Sequence, residues 1–122
     1  KGRTFMITGI GLDITEINKI ESILTKTSKF VTRVLTKKEK EIMETLSGAR
    51  QLEFLAGRFA AKEAFSKAIG TGIGKQCSFQ DIEILKESSG KPILYFKEKP
   101  INGFVSITHT KDYAAAQVIL QS

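Results

Sequence analysis

Several residue types are scarce in this chain of 122 residues, and each scarcity excludes a class of protein. Tryptophan is absent, Cys77 is the only cysteine and His109 is the only histidine. A lone cysteine cannot form an internal disulfide, so we expect a reducing cytoplasm rather than secretion. One cysteine and one histidine cannot supply a zinc site. No apolar run approaches the roughly 18 residues of a membrane span, and the first residues lack a signal-peptide pattern.

The aromatic residues are also few, at 8% of the chain, with two tyrosines and eight phenylalanines. Most phenylalanines follow the expected core pattern, and the basic residues do not alternate with exposed aromatic ones as a base-stacking surface requires. No zinc-finger spacing is present. We therefore expect neither a nucleic acid nor a membrane as partner.

Positive charge is plentiful and unevenly placed. The net charge is +6 and the isoelectric point is near 9.5. Residues 1–40 hold nine basic and four acidic side chains, so this third of the chain carries +5 and the remainder only +1. Such a local excess predicts an acidic partner, while solubility is the alternative explanation.

The first half of the chain predicts one strand and several helices. Residues 1–5 fit no pattern, and we interpret them as a non-native extension before a single domain over residues 6–122. Met6–Leu12 predicts a strand whose glycines allow a close approach to its backbone. Asp13 or Thr15 is expected to cap a following helical stripe from Ile17 to Leu35, with a break near residues 27–28.

Two further helices are expected, followed by strands. Thr36 and Glu39 form a capping-box pattern at the start of a helix that ends near Leu46. Gln51–Ile69 is the strongest helical segment, and its interior Gly57 indicates a close packing contact. Short apolar segments then predict an antiparallel sheet, which makes the fold class α+β. These segments are Phe79–Leu85, Ile93–Phe96, Phe104–Thr108 and Tyr113–Leu120.

Two carboxylates are candidates for a metal site. Asp13 follows a glycine-flanked strand, where it could bind a cation or simply cap a helix. Glu63 and Lys67 lie one turn apart on the predicted helix, so a metal on the carboxylate and a phosphate on the lysine are compatible. A solvated salt bridge between Glu63 and Lys67 is the common alternative.

A glycine loop and the histidine are weaker candidates. The loop Gly70–Gly74 has the composition of a phosphate loop, but it follows a helix instead of preceding one, so a helix stop is favoured. His109 ends a predicted strand, where it could orient a phosphate, accept a proton or have a structural role.

Three segments together resemble the short bacterial class of 4′-phosphopantetheinyl transferases, the holo-[acyl-carrier-protein] synthase family. They are Gly9-Ile10-Gly11-Leu12-Asp13-Ile14, the run from Phe54 to Ala68 that contains Lys62-Glu63-Ala64-Phe65-Ser66-Lys67, and Ser106-Ile107-Thr108-His109-Thr110. The resemblance spans residues 6–120. It implies Mg²⁺-dependent transfer of 4′-phosphopantetheine from coenzyme A to a serine of apo acyl carrier protein. It also implies release of adenosine 3′,5′-bisphosphate and a role in fatty acid biosynthesis, part of lipid metabolism.

The resemblance also implies residue roles. Asp13 and Glu63 would hold Mg²⁺ against the coenzyme A pyrophosphate, and Lys67 would neutralise charge on the same phosphates. Glu63 or a water activated by the ion would be the general base for the carrier serine. Contacts to the adenosine bisphosphate part are implied for Arg58, Ser66 and His109, with Gly70 and Gly72 bordering the nucleotide.

Short members of this family form trimers with coenzyme A between subunits. The resemblance therefore implies a homotrimer in which His109 serves a site with Asp13 and Glu63 of a neighbour. It implies that the acidic carrier docks on a basic surface made of Lys19, Lys26, Lys29 and Arg33. Two other functions fit the same residues: a binding module without turnover, and a Mg²⁺-dependent coenzyme A pyrophosphate hydrolase.

Overall fold

The computed structural model describes residues 5–122, which form four helices, six strands and one short 3₁₀ turn at Phe79–Asp81. The helices are α1 (Ile17–Lys26), α2 (Lys29–Val34), α3 (Lys37–Glu44) and α4 (Ala49–Ala68). The strands are β1 (Ile7–Glu16), β2 (Ile82–Lys86), β3 (Pro92–Phe96), β4 (Lys99–Pro100), β5 (Gly103–His109) and β6 (Tyr113–Gln121). Residues 1–4 lie outside the description, so a non-native extension over residues 1–5 stays a prediction.

The strands form two antiparallel sheets of three, ordered β1-β6-β5 and β2-β3-β4. The α+β class with antiparallel pairing is confirmed. The expectation that the segments of the second half form one antiparallel sheet is wrong only in that they divide between two sheets: β6 pairs with β1 from the start of the chain, with Ile10 opposite Ile119 and Asp13 opposite Ala116. Strands β2 and β3 pair with each other instead.

Strand β1 is longer than predicted, and this changes the position of Asp13. Pairing with β6 continues to Glu16, which lies opposite Tyr113. The ladder holds Asp13 and Thr15 in extended backbone, so the prediction that either caps helix α1 is wrong. Glu16 occupies the cap position and makes no side-chain cap bond there.

The predicted helices agree with the structure more closely than the predicted strands do. The break near residues 27–28 separates α1 from α2, and helix α4 occupies the strongest helical segment. The capping box of α3 is present in full, since Glu39 N donates to Thr36 Oγ1 and Thr36 N donates to a Glu39 carboxylate oxygen. The predicted strand Phe79–Leu85 is partly wrong, because Ser78 caps a 3₁₀ turn over its first three residues.

Helix α4 packs against β1 through two glycines. A Cβ atom on Gly11 would lie 1.8 Å from Ala64 O, and one on Gly9 would lie 2.1 Å from Ala68 O. Both distances are far below van der Waals contact, so only glycine lets the strand lie this close to the helix backbone. The predicted close approach to β1 is thereby confirmed, and its partner is α4.

Buried side chains form two clusters on either side of α4. One includes Phe65, Ile84 and Val118, and lies between α4 and the sheets. The other includes Ile20, Val34 and Leu55, and lies between α4 and helices α1 and α2. Helix α4 therefore contacts almost every other element, and its side chains can reach several faces of the molecule.

Candidate active site

Three of the predicted site residues meet in one cleft between β1 and α4. Asp13 enters it from β1, and Glu63 and Lys67 enter it from successive turns of α4. The cleft has a volume of about 700 Å³, and Lys19 of α1 and Tyr113 of β6 also line it. The glycine contact between β1 and α4 brings the carboxylates of the two elements together.

Asp13 is held by two donors. Lys67 Nζ lies 3.1 Å from Asp13 Oδ1 and also donates to Leu12 O at 3.1 Å. Thr15 Oγ1 donates to Asp13 Oδ2 at 2.8 Å. Within residues 5–122 the ion pair of Lys67 is therefore made with Asp13 and not with Glu63, the partner that a solvated helix salt bridge would use.

The Glu63 carboxylate has fewer polar partners than the Asp13 carboxylate. Among the described residues its side chain makes no ion pair and no hydrogen bond. Partial burial raises the pKa of Glu63, the negative charge of Asp13 raises it further, and Lys67 opposes both effects. A carboxylate near a second carboxylate, with its lone pairs unused, is suited to bind a cation.

The donor set fits Mg²⁺. No group of three or more His, Cys, Asp or Glu side chains that could cage a metal occurs in the described part of the chain. Mg²⁺ needs no such cage, because it usually takes one or two protein carboxylates and completes its octahedron with water and phosphate oxygens. Asp13 and Glu63 offer two hard oxygen ligands, and Lys67 lies within reach of an anion bound there.

Ser66 and the glycine loop do not line this cleft. The Ser66 side chain is fully buried, and its hydroxyl donates to Glu63 O at 2.7 Å. The N–H groups of Gly70, Thr71 and Gly72 all donate to Ser66 O. These donors end the helix and are not available to a phosphate, so the structure gives no support to ligand contacts by Ser66 or by the loop N–H groups.

A second, larger cleft of about 840 Å³ contains the other predicted contacts. His109 at the end of β5 and Arg58 of α4 both line it. His109 Nε2 lies 3.5 Å from Glu53 Oε1. Arg50 and Lys86 also line this cleft, so it combines cationic side chains with apolar ones.

Arg58 is almost fully buried at the wall of the larger cleft. Its guanidinium lies 4.4 Å from the ring centroid of Phe54, and its Nε has no hydrogen-bond partner in the described structure. Burial lowers the pKa of Arg58, and the charge of Glu39 opposes this effect. The Nε–H group is itself buried, 3.9 Å from Glu39 Oε2, so Arg58 offers an anion in the cleft its positive charge and not this N–H group.

Within one chain, the predicted site residues therefore fall into two groups. Asp13, Glu63 and Lys67 line one cleft, and Arg58 and His109 line the other. All four members of the predicted docking surface are exposed, as expected: Lys19, Lys26, Lys29 and Arg33.

The outer face of the sheet β1-β6-β5 is unusually apolar. On β1, Ile10, Leu12 and Ile14 are 58%, 55% and 65% exposed, and Phe104 of β5 is 49% exposed. Ile119 lies opposite both Ile10 and Phe104, so these side chains form one continuous patch. Contiguous apolar surface of this kind typically marks a protein–protein interface.

Sequence reasoning missed several residues around these sites. Glu53, Arg50 and Lys86 line the larger cleft, but they come from distant parts of the sequence and share no motif. Glu39 was recognised only as a helix cap, yet its carboxylate is fully buried and pairs with Lys62. The sequence around Lys62 is strongly helical, and nothing in it indicates whether the Lys62 side chain is buried or exposed.

Comparison with known proteins gives one consistent picture. Residues 9–118 match the family model of the 4′-phosphopantetheinyl transferase superfamily. The chain is 58% identical over 117 residues to a holo-[acyl-carrier-protein] synthase of Bacillus subtilis, covering 95% of this chain and 97% of the relative.

The chain is also similar to solved structures of holo-(acyl-carrier-protein) synthases. A holo-(acyl-carrier-protein) synthase from Bacillus anthracis, in complex with CoA (3′,5′-ADP), is 52% identical with a TM-score of 0.84, covering 96% of this chain and 98% of that one. One from Helicobacter pylori, in complex with coenzyme A, is 32% identical with a TM-score of 0.79, covering 91% and 98%.

Proposed function

The chain belongs to the 4′-phosphopantetheinyl transferase superfamily, and we propose that it transfers 4′-phosphopantetheine from coenzyme A to a serine hydroxyl of an apo acyl carrier protein. Relatives at 55–58% identity over most of the chain are holo-[acyl-carrier-protein] synthases, so the chain is an enzyme of this type. The single observation that carries the proposal is the convergence of Asp13, Glu63 and Lys67 in one cleft. We propose that the modified carrier protein made by this enzyme serves fatty acid biosynthesis in the cytoplasm.

We assign Asp13 and Glu63 as the residues that hold Mg²⁺. When bound, the ion would withdraw charge from the pyrophosphate and make adenosine 3′,5′-bisphosphate a better leaving group. Lys67 would move from Asp13 toward the phosphates, where its positive charge stabilises the negative charge that develops as the bond breaks. Its half-exposed side chain leaves room for this movement.

The reaction forms one bond and breaks another at the same phosphorus atom. The carrier serine Oγ attacks the phosphorus that bears the pantetheine arm, and the bond from this phosphorus to the bridging oxygen breaks. Adenosine 3′,5′-bisphosphate leaves with that oxygen, and the serine proton passes to a base. Glu63 is one candidate, because its carboxylate lies in the cleft where the phosphates would bind; a water activated by the ion is the other.

The larger cleft is suited to the adenosine bisphosphate part of coenzyme A. Arg58, Arg50, Lys86 and His109 supply positive charge or hydrogen-bond donors for phosphates, and Phe54 supplies an apolar surface. The B. anthracis relative was solved in complex with CoA (3′,5′-ADP), which supports this ligand for the family; its place in the larger cleft is our assignment.

A homotrimer would bring the two clefts together. The apolar patch on β1, β5 and β6 offers a surface that a second copy of the chain can cover, and burying it would stabilise the assembly. In a cyclic trimer, the carboxylates of one subunit can face His109 and Arg58 of its neighbour. Each active site would then be completed by two chains.

The exposed basic side chains on α1 and α2 are proposed to receive the acidic carrier. Lysine supplies point charges with little geometric demand, so docking should depend strongly on salt. Changing both Lys19 and Lys29 to Glu should raise KM for the carrier. The single change Lys29→Glu, outside the cleft that Lys19 lines, should raise it without altering KM for coenzyme A. An unchanged KM for the carrier would place the docking surface elsewhere.

The direct test is a mass measurement on purified apo carrier incubated with the protein, coenzyme A and Mg²⁺. We expect a gain of one phosphopantetheine group, lost on chelation of the metal. Asp13→Ala and Glu63→Gln should each lower the rate by roughly a hundredfold or more and leave the fold intact. Near-normal transfer by either variant would contradict the metal site. Coenzyme A cleavage without any carrier would favour a hydrolase, and coenzyme A binding without turnover would favour a binding module.

A further inference from the structure

A fully buried ion pair lies apart from both clefts. Lys62 Nζ lies 2.6 Å from Glu39 Oε1, and neither side chain has exposed surface. The ammonium also donates to Val34 O at 2.7 Å and to Phe79 O at 3.0 Å. All three of its N–H groups are therefore used. Buried ion pairs are often no more stabilising than apolar side chains of the same size, so core packing alone does not explain this one.

Glu39 connects the pair to two more elements. Its Oε1 accepts a hydrogen bond from Thr36 N at 2.9 Å, and its Oε2 accepts one from Ile84 N at 2.8 Å. The two side chains thus join the end of α2, the start of α3, helix α4 and strand β2. Arg58 Nε lies 3.9 Å from Glu39 Oε2, so Glu39 also faces the wall of the larger cleft.

Lys62 connects helix α2 to the part of α4 that carries Glu63. Lys62 and Glu63 are consecutive, and their side chains leave the helix in different directions, one toward α2 and the other into the carboxylate cleft. Helix α4 is fixed on β1 separately, by the Gly9 and Gly11 contacts. The Lys62 bond to Val34 O therefore holds α2, and not the carboxylate cleft itself.

Helix α2 carries Lys29 and Arg33, half of the proposed docking surface. We infer that Lys62, oriented by Glu39, is a positioning residue that sets the carrier-docking helix α2 at a fixed place relative to Glu63. Holding α2 there keeps Lys29 and Arg33 in place beside the basic residues of α1, so the carrier should bind more weakly when α2 is released. This inference rests on the proposed function, because it assigns a role to the docking surface of that function.

The test uses Lys62→Met, which keeps an unbranched side chain that is shorter by the terminal atom and removes the three donors. KM for the carrier should rise by roughly 2- to 30-fold, the range seen when residues that couple two sites are changed. The affinity for coenzyme A, measured without carrier, and kcat at saturating carrier should change much less. Hydrogen exchange of residues 29–36 should be faster than in the parent protein, with β5 and β6 unaffected.

A matched control is Leu120→Ala, which creates a cavity in the other core cluster and touches neither Glu39 nor Lys62. A loss of stability alone reduces the amount of active enzyme and leaves KM for the carrier unchanged, as this control should show. If Lys62→Met does not fold, Glu39→Gln/Lys62→Met removes both buried charges, and the carrier KM and the exchange of α2 are measured on it.

The outcomes separate the two proposals. A parent protein that transfers no phosphopantetheine overturns the proposed function. An active parent whose variant keeps the parent KM for the carrier and the parent exchange rates in α2 overturns the positioning role alone.

Discussion

At the scale of single residues, the glycines of β1 decide whether a site can form. The sequence predicted a close approach to Gly9 and Gly11, because glycine inside a strand commonly marks one. It could not predict that the approaching group is the backbone of α4, since no local pattern links residues so far apart in the chain. The structure supplies that link, and with it the meeting of Asp13 and Glu63.

Gly11→Ala is expected to destabilise the protein by about 3 kcal/mol or more, because its Cβ would overlap a helix carbonyl that cannot move aside. A Cβ atom on Gly11 would lie 1.8 Å from Ala64 O. Urea unfolding measures the change. Gly74→Ala is the matched control, since a Cβ there meets no atom within 4 Å and no positive φ is required. Equal stability of the two variants would contradict the close contact between β1 and α4.

Glu63→Gln is expected to raise the melting temperature of the metal-free protein at neutral pH. Burial and the charge of Asp13 raise the pKa of Glu63 in the folded protein, so its ionised form costs stability above that pKa. As pH falls below the unfolded pKa, the folded and unfolded chains are both protonated and the cost disappears. The gain from the substitution should therefore be largest near neutral pH and vanish at roughly pH 4.

Melting curves taken across this pH range provide the measurement, with Glu41→Gln as a control at an exposed position of α3. A gain for Glu63→Gln that is the same at every pH would show that packing, rather than charge, explains it.

At the scale of elements, local signals in the sequence predicted helices better than strands. The capping box of Thr36 and Glu39, the break between α1 and α2, and the long helix α4 all depend on residues close in sequence. The position of Asp13 depends instead on β6, which lies about a hundred residues later and holds β1 extended as far as Glu16. Long-range pairing of this kind overrides a local capping preference.

In the turn of the β3–β4 hairpin, the backbone conformation does not suit the residues that adopt it. Lys97 and Glu98 form the two-residue loop and have φ values of 51° and 69°. A turn with positive φ at both positions favours Asn and Gly. Glu98→Gly should therefore stabilise the protein by roughly 0.5–1 kcal/mol, because it relieves left-handed strain.

The matched variant Glu98→Val places a β-branched residue at the same φ and should destabilise the protein. Thermal unfolding of both variants checks the prediction, and a lower melting temperature for Glu98→Gly would contradict the strain at this turn. Since the hairpin lies outside both clefts, neither variant should alter phosphopantetheine transfer.

At the scale of the whole molecule, the net charge of +6 has more than one role. Exposed basic side chains on α1 and α2 make up the proposed docking surface, while Arg50, Arg58 and Lys86 line the larger cleft. Lys62 is buried beside Glu39 and belongs to neither group. Net charge in the sequence predicts an acidic partner, but only the fold separates the exposed cations of the proposed docking surface from those in the cleft and from the buried one.

The separation of the two clefts within one chain has a consequence for assembly. A reaction that needs Glu63 together with His109 requires either a large movement or a second subunit, and the apolar face of the sheet β1-β6-β5 favours the second subunit. The sequence could predict each group of residues from the family resemblance. It could not show that the groups lie in different clefts, because the distribution of side chains around α4 depends on the packing of the whole domain.

Mixing two inactive variants tests the shared site most directly. Glu63→Gln and His109→Ala are produced together in one cell, the mixed oligomers are isolated through two different affinity tags, and transfer to apo carrier is followed by mass. In each mixed cyclic trimer about one interface in three joins the native Glu63 of one subunit to the native His109 of its neighbour, so the mixed oligomers should regain transfer activity that neither variant has alone. Mixed oligomers no more active than the separate variants would contradict a site completed by two chains.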